Sequence, residues 1–311
     1  MSKKIDYDFL TQYIEDEEIT DINYNGSGLW LDHLSKGRYL VDLKISDEEI
    51  EKFCYKIANF TNKQFNNSFP ILESETENLR LSIIHKSVAA SGYSISIRKT
   101  PPIMRLNKEK LLNENYTSLE VLNLFEEIVK SRKNIIISGL PGAGKTELLK
   151  YLTNFIKDNQ RVITIEDSLE IRFSKIHKHK DGVMLKINDN INYRQAIKAC
   201  LRQRPDWLLL SEVRGSEVVE LLQAISTGAK LISTIHSDSA QMIPQRLLHM
   251  FEGNEIANEK IMYNIYENID YGIHIKSKIS EKGVYRFISE ICKYEVKNDK
   301  YFFKVLYSKN S

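Results

Sequence analysis

The sequence predicts an α/β protein in two parts: a smaller α+β amino-terminal domain over residues 1–98, a linker at 99–105, and a larger domain over 106–311 built on a parallel sheet covered on both faces. Three observations predict it. Apolar runs such as Ile135-Ile136-Ile137, Val162-Ile163-Thr164-Ile165 and Trp207-Leu208-Leu209-Leu210 have no polar face, as strands buried on both sides require. These runs alternate with stretches of helical periodicity, which is the pattern of repeated strand–helix crossovers. Pro101-Pro102 cannot lie inside a helix and favours extended chain, so the linker falls there.

In the first part, Tyr7 to Ile14 repeats apolar residues at helical spacing. Strands are expected at Ile19 to Tyr24 and Leu29 to Leu31 around the turn Asn25-Gly26-Ser27-Gly28. Ser46 is placed to cap a helix, with Glu49 three residues on as its capping-box partner and Ile50, Phe53, Cys54 and Ile57 on one face. Leu79 to Ile84 and Tyr93 to Arg98 alternate as strands do; in the second, Ile95 and Ile97 share one face while Ser94, Ser96 and Arg98 share the other.

In the second part, Thr117 or Ser118 caps a helix through Val129 that leads into the Ile135 strand. Arg161 to Glu166, Trp207 to Ser211 and Lys230 to His236 are further strands. A helix runs from Asn192 to Arg204 and is stopped by Pro205, Ser216 to Ser226 is helical, and Asp238 caps another helical stretch. Ile269 to Ile275 and Tyr285 to Ile291 return to strand-like alternation. Lys175 to Lys180, KIHKHK, reads as a solvated loop.

The chemistry concentrates after the Ile135 strand, in GLPGAGKT. Gly139, Gly142 and Gly144 let the backbone turn so that successive N–H groups point at one anion, with Pro141 and Ala143 between them. Lys145 supplies a positive charge for the terminal phosphates of a nucleotide, and Thr146 offers a hydroxyl to Mg²⁺ at the start of a helix whose N-terminus favours negative charge. The spacing G-x-x-x-x-G-K-[ST] in a strand–loop–helix context therefore predicts a site for ATP with Mg²⁺. Glu212 and Glu166, each at a strand end, are the acids for metal or water, with Asp167 beside Glu166 as a nucleotide-binding residue; His236, also at a strand tip, is a sensor or relay for the γ-phosphate. The residue before Glu212 is Ser211, where an aspartate commonly helps to hold the metal.

The order GLPGAGKT, ITIEDSLEI, LRQRPDWLLLSEVRGSE and TGAKLISTIHSDSA resembles the superfamily of traffic ATPases that serve type IV secretion, tight-adherence and type IV pili and type II secretion. The likeness covers nearly the whole chain and is strongest to the type IV secretion and tight-adherence branch. It implies a RecA-like motor domain, a homo-hexamer on the cytoplasmic side of membrane-embedded secretion or pilus platform proteins, and nucleotide held between the two domains. It also implies catalytic arginines at Arg80 and Arg98, on the amino-terminal strands. Glu73 to Asn78 replaces the family's Asp-Gly before Arg80, and Pro244 sits where the helix after the histidine box continues toward Arg246, so it begins or kinks that helix.

The 311 residues are 42% hydrophobic and 28% charged, an ordinary globular composition. A formal charge of +2 gives no whole-protein attraction to nucleic acid, which weighs against a helicase-like motor, the alternative that DNA-stimulated turnover would support. A nucleotide-regulated scaffold is the other alternative, opposed by the two strand-end acids. A guanine-reading N/T-K-x-D segment is missing, which disfavours a GTPase. Three scattered cysteines form neither a disulfide framework nor a zinc motif and suit a reducing cytosol. No apolar run reaches the roughly 20 residues that span a bilayer, so any membrane role is expected to be peripheral.

Overall fold

The computed structural model describes residues 5–251, 258–280 and 283–309, without the side chains of 279 and 280. The chain divides into two compact units, 1–101 with 279–285 and 102–278 with 286–311. The sequence reading drew the boundary through 99–105 and kept all of 106–311 together; here the short segment 279–285 groups with the first unit.

The first unit holds α1 (Thr11–Glu15), β1 (Ile19–Tyr24), β2 (Leu29–His33), β3 (Gly37–Val41), α2 (Asp47–Phe60), β4 (Ile71–Glu75), β5 (Leu79–Ile84) and β6 (Ser94–Lys99). Its strands form one sheet in the order β3-β2-β1-β6-β5-β4. The capping box forms as expected: Glu49 N–H donates to Ser46 Oγ and the Ser46 N–H to Glu49 Oε2. That start turns Ile50, Phe53, Cys54 and Ile57 of α2 into one core with Ile22, Leu31, Leu81 and Ile97 from alternate positions of the strands. The intervening strand residues make the second face of the sheet. Across it one register row runs Glu75, Arg80, Arg98, Asp21, Asp32, Arg38.

The second unit begins with α3 (Lys108–Asn113), α4 (Leu119–Lys130), β7 (Ile135–Ser138), α5 (Lys145–Leu152), β8 (Val162–Glu166), α6 (Phe173–Ile176) and β9 (Gly182–Lys186). It continues with α7 (Tyr193–Leu201), β10 (Trp207–Leu210), α8 (Val218–Ser226), β11 (Lys230–Ile235), α9 (Ile243–Leu248) and α10 (Asn258–Asn268). β12 (Tyr271–Ser280), β13 (Gly283–Lys297) and β14 (Lys300–Ser308) end the chain. The sheet order is β14-β13-β12-β7-β11-β10-β8-β9, with β12 to β9 parallel in that order and β14 antiparallel to β13. Successive residues of each central strand face opposite cores. Ile136, Leu208, Leu210 and Ile165 meet α7 to α10, whereas Ile135, Ile137, Trp207 and Leu209 meet α4 and α5. Burial on both sides is why these strands carry no polar face.

Several expectations shift. The Asn192 helix ends at Leu201 rather than Arg204, and Pro244 stands in the first turn of α9, so it begins that helix. KIHKHK is not a solvated loop throughout: His177 is buried with its Nε2 2.7 Å from Thr153 Oγ1, and Lys180 donates to the carbonyls of Thr153 and Ile156. Among the described residues, no helix is long and apolar enough to cross a membrane.

Candidate functional site

The phosphate loop joins the buried end of β7 to the start of α5. Gly139 has φ +155°, and a Cβ there would lie 2.6 Å from the carbonyl oxygen of Ile275 in β12, so the loop leaves the sheet by a path open only to glycine. Gly144, at φ +91°, is the N-cap of α5 and turns the chain so that the helix N-terminus opens onto the loop. Lys145 Nζ donates to the carbonyls of Gly139 (2.9 Å) and Leu140 (3.2 Å) and lies 3.3 Å from His236 Nδ1. The residue is only 8% exposed, held in the loop by these contacts. Burial pulls its pKa down to about 8, against the opposing pull of Glu212 and Glu170.

Glu212 follows β10 and is nearly buried. Its Oε1 lies 3.0 Å from His236 Nε2, and its Oε2 accepts from Arg214 Nε at 2.8 Å. Arg214 Nη1 also reaches Asp167 Oδ2 at 2.9 Å. His236 Nδ1 also lies 3.2 Å from the carbonyl oxygen of Gly139, so the imidazole stands between the phosphate loop on its Nδ1 side and Glu212 on its Nε2 side. A polar chain thus runs Lys145, His236, Glu212, Arg214, Asp167. Beside it lies a cavity of about 300 Å³ lined by Glu212, Val213, Arg214, His236, Arg246 and Met250.

Glu166 and Asp167 depart from the expected roles. Glu166 is fully buried, and its Oε2 accepts the backbone N–H groups of Glu170 and Ile171, both at 2.8 Å, while Oε1 accepts from Thr164 Oγ1 at 3.1 Å. It braces the loop that follows β8 and offers no outward oxygen to a metal; burial pushes its pKa up to about 7. Asp167 is tied to Arg214 rather than to the phosphate loop. The acid that does meet the loop is Glu170, whose Oε2 accepts from Thr146 Oγ1 at 3.3 Å. The strand-end pattern points to Glu166 and Asp167 and passes over Glu170. The signal for Glu170 was the third acid in Glu166-Asp167-Ser168-Leu169-Glu170, within one short turn of the strand tip.

Arg98 and Arg80 lie in the first unit, directly opposite one another on β6 and β5. Arg98 Nε donates to Asp21 Oδ1 at 2.9 Å.

The chain is similar to known proteins along most of its length. The model of the type II/IV secretion system protein family matches residues 70–292. An uncharacterised Bacillus anthracis protein is 28% identical over 93% of this chain and 68% of its own length. The type IV secretion system protein VirB11 of Brucella suis is 24% identical over 91% of this chain and 87% of its own. Among solved structures, the pilus retraction motor PilT with bound ADP superposes with a TM-score of 0.66 at 18% identity, covering 97% of this chain and 83% of that one. The Legionella pneumophila ATPase DotB gives 0.66 at 18% identity, covering 91% and 79%. The shared fold is an amino-terminal domain followed by a RecA-like ATPase domain. With the family model spanning most of its length, the chain belongs to the type II/IV secretion family of traffic ATPases.

Proposed function

We propose that this chain hydrolyses ATP at the phosphate loop and, as a ring of six subunits peripheral to the cytoplasmic membrane, turns hydrolysis into mechanical work. The machine it drives is a membrane-embedded type IV secretion, conjugation or pilus-assembly platform. The observation that carries the reading is the unbroken polar chain from Lys145 through His236 to Glu212, which joins the cation expected on the phosphates to a carboxylate able to orient water. Lys145 and the backbone N–H groups of Gly142, Gly144, Lys145 and Thr146 grip the phosphates, and Glu212 positions the attacking water. His236 links the two and responds to the terminal phosphate.

The residues present suit Mg²⁺ with ATP. A left-handed glycine cradle leads into a helix N-terminus, and Thr146 Oγ1 and Glu170 Oε2 are paired hard-oxygen donors. The chemistry Mg²⁺ would supply there is neutralisation of charge on the phosphate oxygens. Thr146 and Glu170 would hold it directly or through water, and Glu166 keeps the Glu170 loop in place.

Steady-state turnover tests the assignment. Lys145→Ala is expected to abolish hydrolysis, and Glu212→Gln to keep nucleotide binding while lowering kcat by about 10² or more. Unchanged hydrolysis in Lys145→Ala would remove the phosphate loop from the mechanism.

A further inference from the structure

Ser211, which stands where an aspartate commonly precedes the strand-end acid, has a specific partner. The hydroxyl of Tyr193 lies 3.0 Å from Ser211 Oγ and accepts the backbone N–H of Asp167 at 3.1 Å. The two hydroxyls share one hydrogen bond, in which either oxygen can donate. One oxygen atom therefore ties together the tips of β8 and β10, neighbouring parallel strands whose ends carry Glu166 and Glu212. The tie continues through side chains, since Asp167 accepts from Arg214 and Arg214 donates to Glu212. Tyr193, Asp167, Arg214, Glu212 and Ser211 close a loop, the last two joined by the peptide bond.

Local structure fixes the tyrosine. The N–H of Gln195 donates to Asn192 Oδ1 and that of Asn192 to Gln195 Oε1, both at 3.0 Å, so the capping box sets the first residue of α7 at Tyr193. Its ring packs against the core between the sheet and α7 to α10, and burial pushes the hydroxyl pKa up to about 12, keeping it protonated at physiological pH. A phenylalanine would fill the same space without making either bond.

We propose that Tyr193 is a positioning residue for ATP hydrolysis: by holding Ser211 and the Asp167–Arg214 pair, it sets where the Glu212 carboxylate stands. This rests on the reading of Glu212 as the water-positioning acid. Nothing in the pattern of phosphate, metal or strand-end residues points to Tyr193, which reaches the site from the start of a helix.

The test uses the full chain with Tyr193→Phe, Ser211→Ala and the double variant. Each single variant is expected to lower kcat about tenfold with KM for ATP within about twofold, as loss of one part of a shared hydrogen-bond network would. The double variant is expected to fall about as far as either single one, because both cut the same tie. Independently of activity, hydrogen exchange at the Asp167 amide is expected to rise in Tyr193→Phe. Wild-type kcat in Tyr193→Phe, effects that multiply in the double variant, or unchanged exchange at Asp167 would each overturn the proposal. Lys145→Ala assayed alongside separates the two levels. If it keeps full turnover, the hydrolytic site itself falls and Tyr193 loses its catalytic role with it; if it is inactive while Tyr193→Phe is unaffected, only the tyrosine's role falls.

Discussion

Glu166 and Glu212 are the same residue type at the tips of neighbouring strands, and what surrounds each decides its task. Glu212 faces an imidazole and a guanidinium beside a cavity, whereas Glu166 is spent on two backbone amides and a hydroxyl. The folded-state pKa of Glu166, near 7, lies above its ordinary value of 4.5, so the folded chain holds the proton more tightly. Its contribution to stability is full below 4.5 and is lost as pH rises through 7. Glu166→Gln keeps the acceptor for Glu170 and Ile171 and can donate to Thr164, yet it carries no charge to desolvate. The variant is therefore expected to be more stable than the wild type at pH 8, by up to about 3 kcal/mol, with the gap closing toward pH 5. Denaturant unfolding at the two pH values checks this, and parallel curves would refute it. Turnover should drop by no more than severalfold, in contrast to Glu212→Gln.

At the scale of elements, legibility followed burial. β7, β8, β10 and β11 were readable because strands covered on both faces need uninterrupted apolar runs, and the phosphate loop because its glycines answer to backbone geometry that other residues cannot adopt. β3, β4, β9 and β14 were not read. Each is the edge strand of a sheet, or borders one, and their residues are largely exposed or half-buried, so alternation is blurred by charge, as in Gly37-Arg38-Tyr39-Leu40-Val41. KIHKHK misled for a tertiary reason. Lys180 runs its stem under the chain and places its ammonium on the carbonyls of Thr153 and Ile156, at the end of the short 3₁₀ turn that extends α5. Nothing in a stretch of five polar residues and one isoleucine announces that. Lys180→Met keeps the stem and removes the donor, and is expected to cost about 1–2 kcal/mol by taking the ammonium from the Ile156 carbonyl, while the Thr153 carbonyl keeps the Ile156 N–H. His177, its neighbour in this contact, has its pKa pulled down to about 4 by burial, so it remains neutral in the folded chain. Below its ordinary value of 6.5 the unfolded chain binds the proton more readily, so stability falls as pH drops from 6.5 toward 4. His177→Gln should flatten that acid limb in thermal melts, and an unchanged limb would place its cause elsewhere.

For the whole molecule, the open question is what the first unit gives the second, and the charged row across its sheet makes this testable. Two like charges, Arg80 and Arg98, sit directly opposite on adjacent strands, an arrangement that alone is unfavourable. Glu75 opposes Arg80 on one side and Asp21 opposes Arg98 on the other, so the row is balanced by its outer neighbours. The Arg98 side chain is 57% exposed, and exposed pairs of this kind are worth about 0–1 kcal/mol. Stability therefore gives little reason for two arginines side by side, and Arg98→Ala should leave melting temperature and the size of the particle in solution nearly unchanged. The proposed function gives a stronger reason, since an arginine acting on transferring phosphate is worth about 10³ or more in related phosphate-loop chemistry. We expect Arg98→Ala to lower turnover at least about tenfold in an assembled ring, and Arg98→Lys to restore little of it, because an ammonium cannot grip two oxygens in a plane. Arg38→Ala, at the far end of the same row, is the control that removes a comparable surface charge. Light scattering establishes assembly before turnover is compared. Equal turnover in the Arg98→Ala, Arg38→Ala and wild-type rings would return Arg98 to the ion-pair row alone, and the first unit would then serve assembly rather than chemistry.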